Sequence, residues 1–153
     1  MKYVLALALF ALVGCGTPPS TNTAQTSASS VAGGFAAQQL NAIRSRAGVS
    51  AIGRNAQLDA AALEQAQFMA ASNTMTHRGR NGSNVGARVG AQGYRWCVVA
   101  ENVFRGHADP AFAIEAWRTS PGHFRNMTNV KVREFGMASV GDFHAMVLAA
   151  QSC

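Results

Sequence analysis

The segment Gly16–Gly34, GTPPSTNTAQTSASSVAGG, limits how much of the 153-residue chain can form a folded core. It contains no charged and no aromatic residue, and it is rich in serine, threonine, alanine and proline. Such a segment buries too little apolar surface to offset the entropy lost on ordering, so we predict a flexible tether. The foldable part is then Phe35–Cys153, about 120 residues, which is the size of one domain around one core.

The residues before the tether predict export. The uncharged apolar run Val4–Val13 is far shorter than the roughly 20 residues of a membrane-spanning helix. It ends in Leu-Val-Gly-Cys, which resembles a bacterial lipobox. That resemblance implies a signal peptide over residues 1–14, diacylglycerol on the Cys15 sulfur, acyl chains such as palmitate on the new N-terminus, and a lipidated tether over residues 15–34. Two or three acyl chains suffice for stable anchoring to a membrane. The alternative is an ordinary secretory signal.

Two cysteines remain for the domain once Cys15 carries lipid. Cys97 and Cys153 form an even pair, and exported proteins fold where disulfides persist. We predict a disulfide between them, with two free thiols as the alternative. In the chain-entropy model, whose mechanism is disputed, closing a loop of this length stabilises the fold by about 4 kcal/mol.

The domain is basic without a dense basic patch. The formal net charge of the chain is +6, and twelve of its thirteen Lys and Arg residues are scattered through the predicted domain. Basic charge can indicate nucleic acid, but an exported lipoprotein rarely meets it, so we expect no nucleic-acid partner. Anionic lipid, lipopolysaccharide or a cell-wall polymer is the expected neighbour, with solubility of the domain as the alternative explanation.

The first part of the domain has helical periodicity. Apolar residues recur at helical spacing in Phe35–Ala47 and in Ala56–Ser72. Asn55 is a suitable N-cap for the second helix. A polar, glycine-rich loop that contains His77 follows, and then a short helix is predicted over Val85–Gln92.

The second part of the domain predicts strands around a further helix. Asp109 followed by proline predicts the start of a helix that ends near Thr119. A strand, or an extended entry into a short helix, is predicted near Val98. Strands over Glu134–Val140 and Phe143–Ala150 are joined by a two-residue Gly-Asp hairpin loop. Helices packed on an antiparallel sheet make the predicted fold class α+β.

Four histidines and one acid are candidates for chemistry. His77 and His123 each follow a helix in a glycine-containing segment, where an imidazole can face a cleft. His107 and His144 are most simply a loop residue and a half-buried strand residue. Glu101 follows three apolar residues, so we expect it to be partly buried and to need a partner or a raised pKa. Two imidazoles and a carboxylate can hold a divalent metal with an open position for water, form an acid–base cluster, or only hydrogen-bond to each other.

Six stretches of the domain occur in an order known from one protein family. They are LNAIRSRAG from Leu40, LDAAALEQAQFMA from Leu58, MTHRG from Met75, AENV from Ala100, AIEAWRTSPGHFRNM from Ala113 and EFGMAS from Glu134. This order resembles the CAP superfamily of cysteine-rich secretory, antigen 5 and pathogenesis-related 1 proteins, in its bacterial SCP-domain branch. The resemblance covers essentially all of Phe35–Cys153. It implies a three-layer α-β-α sandwich with a small antiparallel sheet and a central cleft.

The resemblance also implies a site. In the family, two histidines and two acids line the cleft, and some members bind a divalent cation such as zinc there. Carried over by position, the cleft residues of this chain are His77, Glu101 and His123. The second acid would lie three residues after Trp117, where this chain has Ser120. A hydroxyl in place of a carboxylate lowers the negative charge, so any metal binding by the two histidines is expected to be weak.

These observations leave three functions open. The preferred one is a monomeric, non-catalytic binding module for a lipid, glycan or protein ligand at the bacterial cell envelope, anchored to the outer or plasma membrane. The alternative is a metal- or His/Glu-dependent hydrolase acting on cell-wall or peptide substrates, and the third is a structural or adhesion protein. Ser120 beside His123 in sequence does not make a catalytic triad, so no nucleophile motif supports the hydrolase. Arg125 and Asn126 are interpreted as solvated helix surface, with contact to an anionic or polar ligand as the alternative.

Overall fold

The computed structural model describes residues 23–153, with side chains from residue 34 onward. The predicted signal peptide and the predicted lipidation site at Cys15 lie outside the described residues. The helices are α1 (Thr23–Arg46), α2 (Ala56–Ser72), α3 (Val85–Ala91), α4 (Pro110–Thr119) and α5 (Pro121–Met127), with a 3-10 turn at Arg80–Gly82. The strands are β1 (Gly53–Arg54), β2 (Val98–Arg105), β3 (Glu134–Val140) and β4 (Phe143–Ala150).

Helix α1 begins at Thr23, well before the predicted start at Phe35. It therefore extends into the segment that was predicted to be a flexible tether. Adding residues to a helix that has already formed needs no new nucleation. The part of α1 within the domain is stabilised by packing. A preceding segment that contains alanine and no proline can therefore continue the same helix. The anchoring role of residues 15–34 stays a prediction.

Local chemistry sets the ends of α2 and α4. The Asn55 side chain accepts hydrogen bonds from the first backbone N–H groups of α2, and the Asp109 side chain does the same for Ala111 in α4. Both predicted caps are thus confirmed. Helix α4 ends at Thr119 because Ser120 is extended before Pro121, and that proline then occupies the first turn of α5.

The strands form one mixed sheet in the order β1-β3-β4-β2. Strand β4 pairs antiparallel with both β2 and β3, whereas β1 pairs parallel with β3. The predicted antiparallel sheet therefore has one additional parallel edge strand, which the sequence did not predict because two residues are too few to show strand periodicity. The segment after Val98 is a full strand rather than an entry into a helix, since β2 pairs with β4 along its whole length.

Helices cover both faces of the sheet, which confirms the α-β-α sandwich. Successive residues of β4 point to opposite faces. Met146 packs in a core with residues of α1, α4 and α5, and Val147 packs in a core with residues of α2 and α3. Helix α2 lies very close to the sheet at Gly136, where a Cβ atom would overlap the helix backbone.

A disulfide bond joins Cys97 and Cys153, with Cα atoms 5.8 Å apart, which confirms the predicted pairing. The Cys97 N–H donates to the Ala150 carbonyl at 2.8 Å, so the bond closes the end of the β2–β4 pair and holds the C-terminus. None of the helices in residues 23–153 combines the length and the hydrophobicity that a membrane crossing requires.

Candidate ligand-binding cleft

Glu101 is the centre of the candidate site. It lies in the middle of β2, and only 2% of its side chain is exposed. Its Oε2 accepts a hydrogen bond from Arg88 Nη2, and its Oε1 lies 2.9 Å from His77 Nδ1. Both carboxylate oxygens are therefore occupied, as a buried carboxylate requires. Glu101 is thus buried and partnered, as its sequence context predicts, and its hydrogen bond with His77 corresponds to one of the alternatives left open by the sequence.

Arg88, on α3, is the part of the site that the sequence did not reveal. Its side chain is 1% exposed, and its Nη1 donates to the Ser83 carbonyl at 2.9 Å and to the His77 carbonyl at 3.4 Å. Arg88 thus holds the His77 loop against the strand that carries Glu101. The sequence indicated only that a buried Glu101 needs a cationic partner. Every arginine of the domain was an equal candidate for that partner.

His77 is the exposed member of the site. It lies in the loop after α2, and 59% of its side chain is exposed. Its Nδ1–H donates to Glu101, and this hydrogen bond raises the pKa of His77 above 6.5 against the effects of burial and of the Arg88 charge. Its Nε2 forms no hydrogen bond with any group in residues 34–153, so this nitrogen is available to a ligand.

His123 lies in the first turn of α5, next to the same strand. Its carbonyl accepts a hydrogen bond from Asn102 Nδ2 at 3.1 Å, and Asn102 is the residue after Glu101. Burial, and then the charge of His77, lower the pKa of His123 below 6.5. The charge of His77 thus acts on His123, and the pKa values of the two imidazoles are shifted in opposite directions.

The α5 side chains differ in their roles. Asn126 Nδ2 donates to Asn102 Oδ1 at 2.8 Å, so Asn126 is half-buried beside the neighbour of Glu101, and the interpretation of it as solvated surface is wrong. Arg125 is exposed, as predicted. Ser120 ends α4 and begins α5, and its side chain makes no capping hydrogen bond. It supplies the turn that precedes His123 and adds no negative charge to the cleft.

The side chains do not fit a three-ligand metal site as they are arranged. Within residues 34–153, no three His, Cys, Asp or Glu side chains are placed to hold one metal ion. A metal at His77 and Glu101 would have to break the pair between them, and the Arg88 charge against Glu101 opposes a cation there. Metal binding by His77 and His123 stays a prediction.

The other two histidines have structural partners. His144 is fully buried rather than half-buried as predicted, with its Nδ1 2.7 Å from Ser139 Oγ and its Nε2 2.6 Å from the His107 carbonyl. Burial lowers the pKa of His144, so a neutral ring donates to His107 and accepts from Ser139. The His107 ring stacks on Phe112 with centroids 4.1 Å apart. His107 Nδ1 also accepts a hydrogen bond from the Asp109 N–H at 3.0 Å, so each ring has a structural partner.

The sequence matches one protein-family model, and the structure resembles solved structures of bacterial proteins. The sequence model of the CAP family, described as the cysteine-rich secretory protein family, matches residues 37–148. Similar solved structures are an extracellular protein containing an SCP domain from Bacillus anthracis (23% identity, TM-score 0.69) and an outer surface protein from Borrelia burgdorferi (16%, 0.71). A cysteine-rich secretory protein from Staphylococcus aureus is also similar (17%, 0.58).

These structures cover 72%, 79% and 73% of this chain, in the same order. This chain in turn spans 37% of the Bacillus protein, 93% of the Borrelia protein and 36% of the Staphylococcus protein. No curated protein sequence gives a significant match. The TM-scores show a shared fold, and the family model matches most of the sequence. The chain belongs to the cysteine-rich secretory protein (CAP) family.

Proposed function

We propose that this chain is a non-catalytic binding module of the bacterial cell envelope. A lipid on Cys15 anchors it, and the cleft at His77 holds a lipid, glycan or protein ligand. The observation that carries this proposal is an exposed imidazole beside a buried carboxylate that Arg88 already neutralises. Such a site offers a hydrogen-bonding group to a ligand, but its carboxylate is not free to act as a base.

The geometry of His77 supports binding in particular. Its Nδ1 is fixed by Glu101, so the ring has a defined orientation before any ligand arrives. Its exposed Nε2 can donate to a glycan hydroxyl, a lipid ester or a peptide carbonyl when the ring is protonated. The hydrogen bonds that join His123, Asn102 and Asn126 give the neighbouring wall of the cleft the same rigidity.

Three features support an extracellular, membrane-anchored location. The apolar run that ends in Cys15 is typical of a lipoprotein signal, and the Cys97–Cys153 disulfide is typical of exported proteins. Two of the similar structures are described as an extracellular protein and an outer surface protein. Two or three acyl chains on one cysteine would hold a monomer at the membrane surface.

A hydrolase remains the second candidate because of one observation. The His77–Glu101 pair at 2.9 Å has the geometry of a general base and the group that orients it. Against this, no serine, threonine or cysteine side chain within residues 34–153 hydrogen-bonds to His77. The base would therefore have to activate water, and a peptide or cell-wall polymer would be its substrate.

A binding panel with matched variants tests the proposal. The full lipidated chain is applied to panels of lipids, glycans and envelope proteins, beside the double variant His77→Ala/His123→Ala and the control Arg125→Ala. Arg125 is an exposed residue of the helix that carries His123. We expect the double variant to lose about tenfold or more in affinity, since truncating central contacts commonly costs this much, and the control to bind like the wild type.

Two results would contradict the binding proposal. If the folded double variant keeps the full affinity, the cleft is not the ligand site. If the wild type cleaves a peptide or cell-wall substrate and His77→Ala abolishes cleavage, the chain is the hydrolase of the alternative.

A further inference from the structure

A cavity away from the His77 site lies between the loop after α1 and the segment that joins α5 to β3. Its volume is about 350 Å³, at the lower end of the range for small-molecule sites. It shares no lining residue with the cleft. It is lined by Arg44, residues 48–52, Val130, Val132 and Arg133. None of these residues is acidic, so the charged groups that line the cavity are all positive.

Arg44 gives this cavity a buried positive charge. It is 1% exposed, its Nε donates to the Ser50 carbonyl at 2.7 Å, and its Nη1 donates to the carbonyls of Met127 at 2.7 Å and Asn129 at 3.1 Å. It forms no salt bridge with a carboxylate of the described residues. Its Nη2 donates to no group in residues 34–153. Of the five N–H groups of this guanidinium, the two on Nη2 therefore have no partner within residues 34–153, and Arg44 lines the cavity.

Arg133 places a second guanidinium at the same cavity. It is exposed, and only its Nη1 is engaged, with the carbonyls of Val130 at 2.6 Å and Val132 at 3.0 Å. Burial, and then the charge of Arg133, lower the pKa of Arg44. Two like charges thus face one space, and an anion between them would replace repulsion with attraction.

The loop after α1 adds backbone donors. The amides of Ser50 and Ala51 donate to no other group within residues 34–153, and both residues are exposed. Successive free N–H groups in a loop are a common means of binding anions. Both residues line the cavity beside the two arginines, so their amides are further candidate donors to an anion there.

We propose that this cavity binds a phosphoryl group, held between the guanidiniums of Arg44 and Arg133. A phosphoryl group has at least three acceptor oxygens and matches the planar fork of arginine. The cavity has the volume of roughly a dozen waters at about 30 Å³ each, so the group can belong to a larger molecule. Val130, 63% exposed at the rim, can contact an apolar part of that molecule. Its source is either a free phosphate compound or a phospholipid headgroup.

Backbone amide shifts in NMR spectra test the site directly. The full chain, held in neutral phosphatidylcholine bicelles, is titrated with inorganic phosphate and, separately, with chloride at equal ionic strength. We expect saturable shifts for residues 50–52 and 130–133 with phosphate alone. Arg133→Gln should weaken binding about tenfold, because it removes a charged hydrogen-bond donor. The matched variant Arg46→Gln removes an exposed arginine of α1 that does not line the cavity, and it should change the affinity less than twofold.

The same spectra distinguish the two sources and can overturn the proposal. If phosphatidylglycerol in the bicelles shifts the same amides and Arg133→Gln prevents this, the source is a lipid headgroup; if only phosphate does so, it is a free phosphate compound. The proposal is wrong if the shifts do not saturate with phosphate or with phosphatidylglycerol. It is also wrong if Arg133→Gln and Arg46→Gln reduce the shifts equally, because only general charge attraction is then present. Arg133→Gln leaves the contacts of Arg44 with Met127 and Asn129 intact, so loss of binding is not loss of fold.

Discussion

Two buried arginines of this domain have opposite surroundings. Arg88 and Arg44 are each 1% exposed, but Arg88 faces the carboxylate of Glu101 while Arg44 faces only backbone carbonyls. In the cleft, the charge is neutralised inside the protein, and the pair fixes His77. At the end of α1, the Arg44 guanidinium hydrogen-bonds to the carbonyls of Ser50, Met127 and Asn129. Its charge has no carboxylate partner among the described residues, so an anion can neutralise it. The partner of a buried charge, and not its burial, therefore indicates what the charge does.

Removing Arg88 should have the largest effect. Arg88→Met leaves the buried Glu101 carboxylate without its counter-charge, which we expect to lower the free energy of unfolding by about 3–5 kcal/mol. Urea unfolding at pH 7 measures this. The double variant Arg88→Met/Glu101→Gln should recover part of the loss, since no buried charge then lacks a partner. A loss below about 1 kcal/mol would show that the two side chains are not paired.

Removing Arg44 should cost less. Arg44→Met gives up hydrogen bonds to three carbonyls, but it also removes the cost of burying a charge that lacks a carboxylate. We expect a net loss of about 2–3 kcal/mol in the same urea experiment, and a change within about 0.5 kcal/mol for the exposed control Arg46→Met. If Arg44→Met lowers the free energy of unfolding as much as Arg88→Met does, the two buried arginines do not differ in the way their partners indicate.

A methyl group at Gly79 tests how tightly Arg88 is held. A Cβ atom there would lie 2.9 Å from Arg88 Nη1 and 2.8 Å from Gln65 Oε1, which is too close for carbon. We expect Gly79→Ala to lower the free energy of unfolding by about 1–2 kcal/mol. Gly90→Ala, in α3 with no atom within 4 Å of the added methyl, should leave stability unchanged or raise it. Equal effects of the two substitutions would mean that the space around Arg88 is not filled.

The His77–Glu101 pair predicts a small pH dependence of stability. The folded-state pKa of His77 is raised above 6.5, so its contribution is fully present below that pH and is lost as the pH rises through the folded value. The stability difference between the wild type and His77→Ala should therefore shrink from pH 5.5 to pH 8.5, as urea midpoints would reveal. A difference that grows with pH would place His77 away from Glu101.

Local signals predicted most of the fold. Helix α2 and strands β3 and β4 have the predicted bounds because a cap at Asn55 and a Gly-Asp hairpin loop define their ends. Strand β1 was missed, since its two residues owe their conformation to pairing with β3. Of the site, His77, Glu101 and His123 were candidates from their sequence context, and the family resemblance predicted that they line one cleft. Arg88 could not be predicted, because its contact with Glu101 depends on how α3 packs against β2.

The titration of the two cleft histidines is the most direct test of this site. Histidine NMR signals of the full chain are followed from pH 4.5 to pH 9 in the wild type and in Glu101→Gln. We expect the pKa of His77 above 6.5 and that of His123 below it, with the pKa of His77 falling in the variant. If both rings titrate together near 6.5 and Glu101→Gln changes neither pKa, then His77 and Glu101 are not hydrogen-bonded to each other.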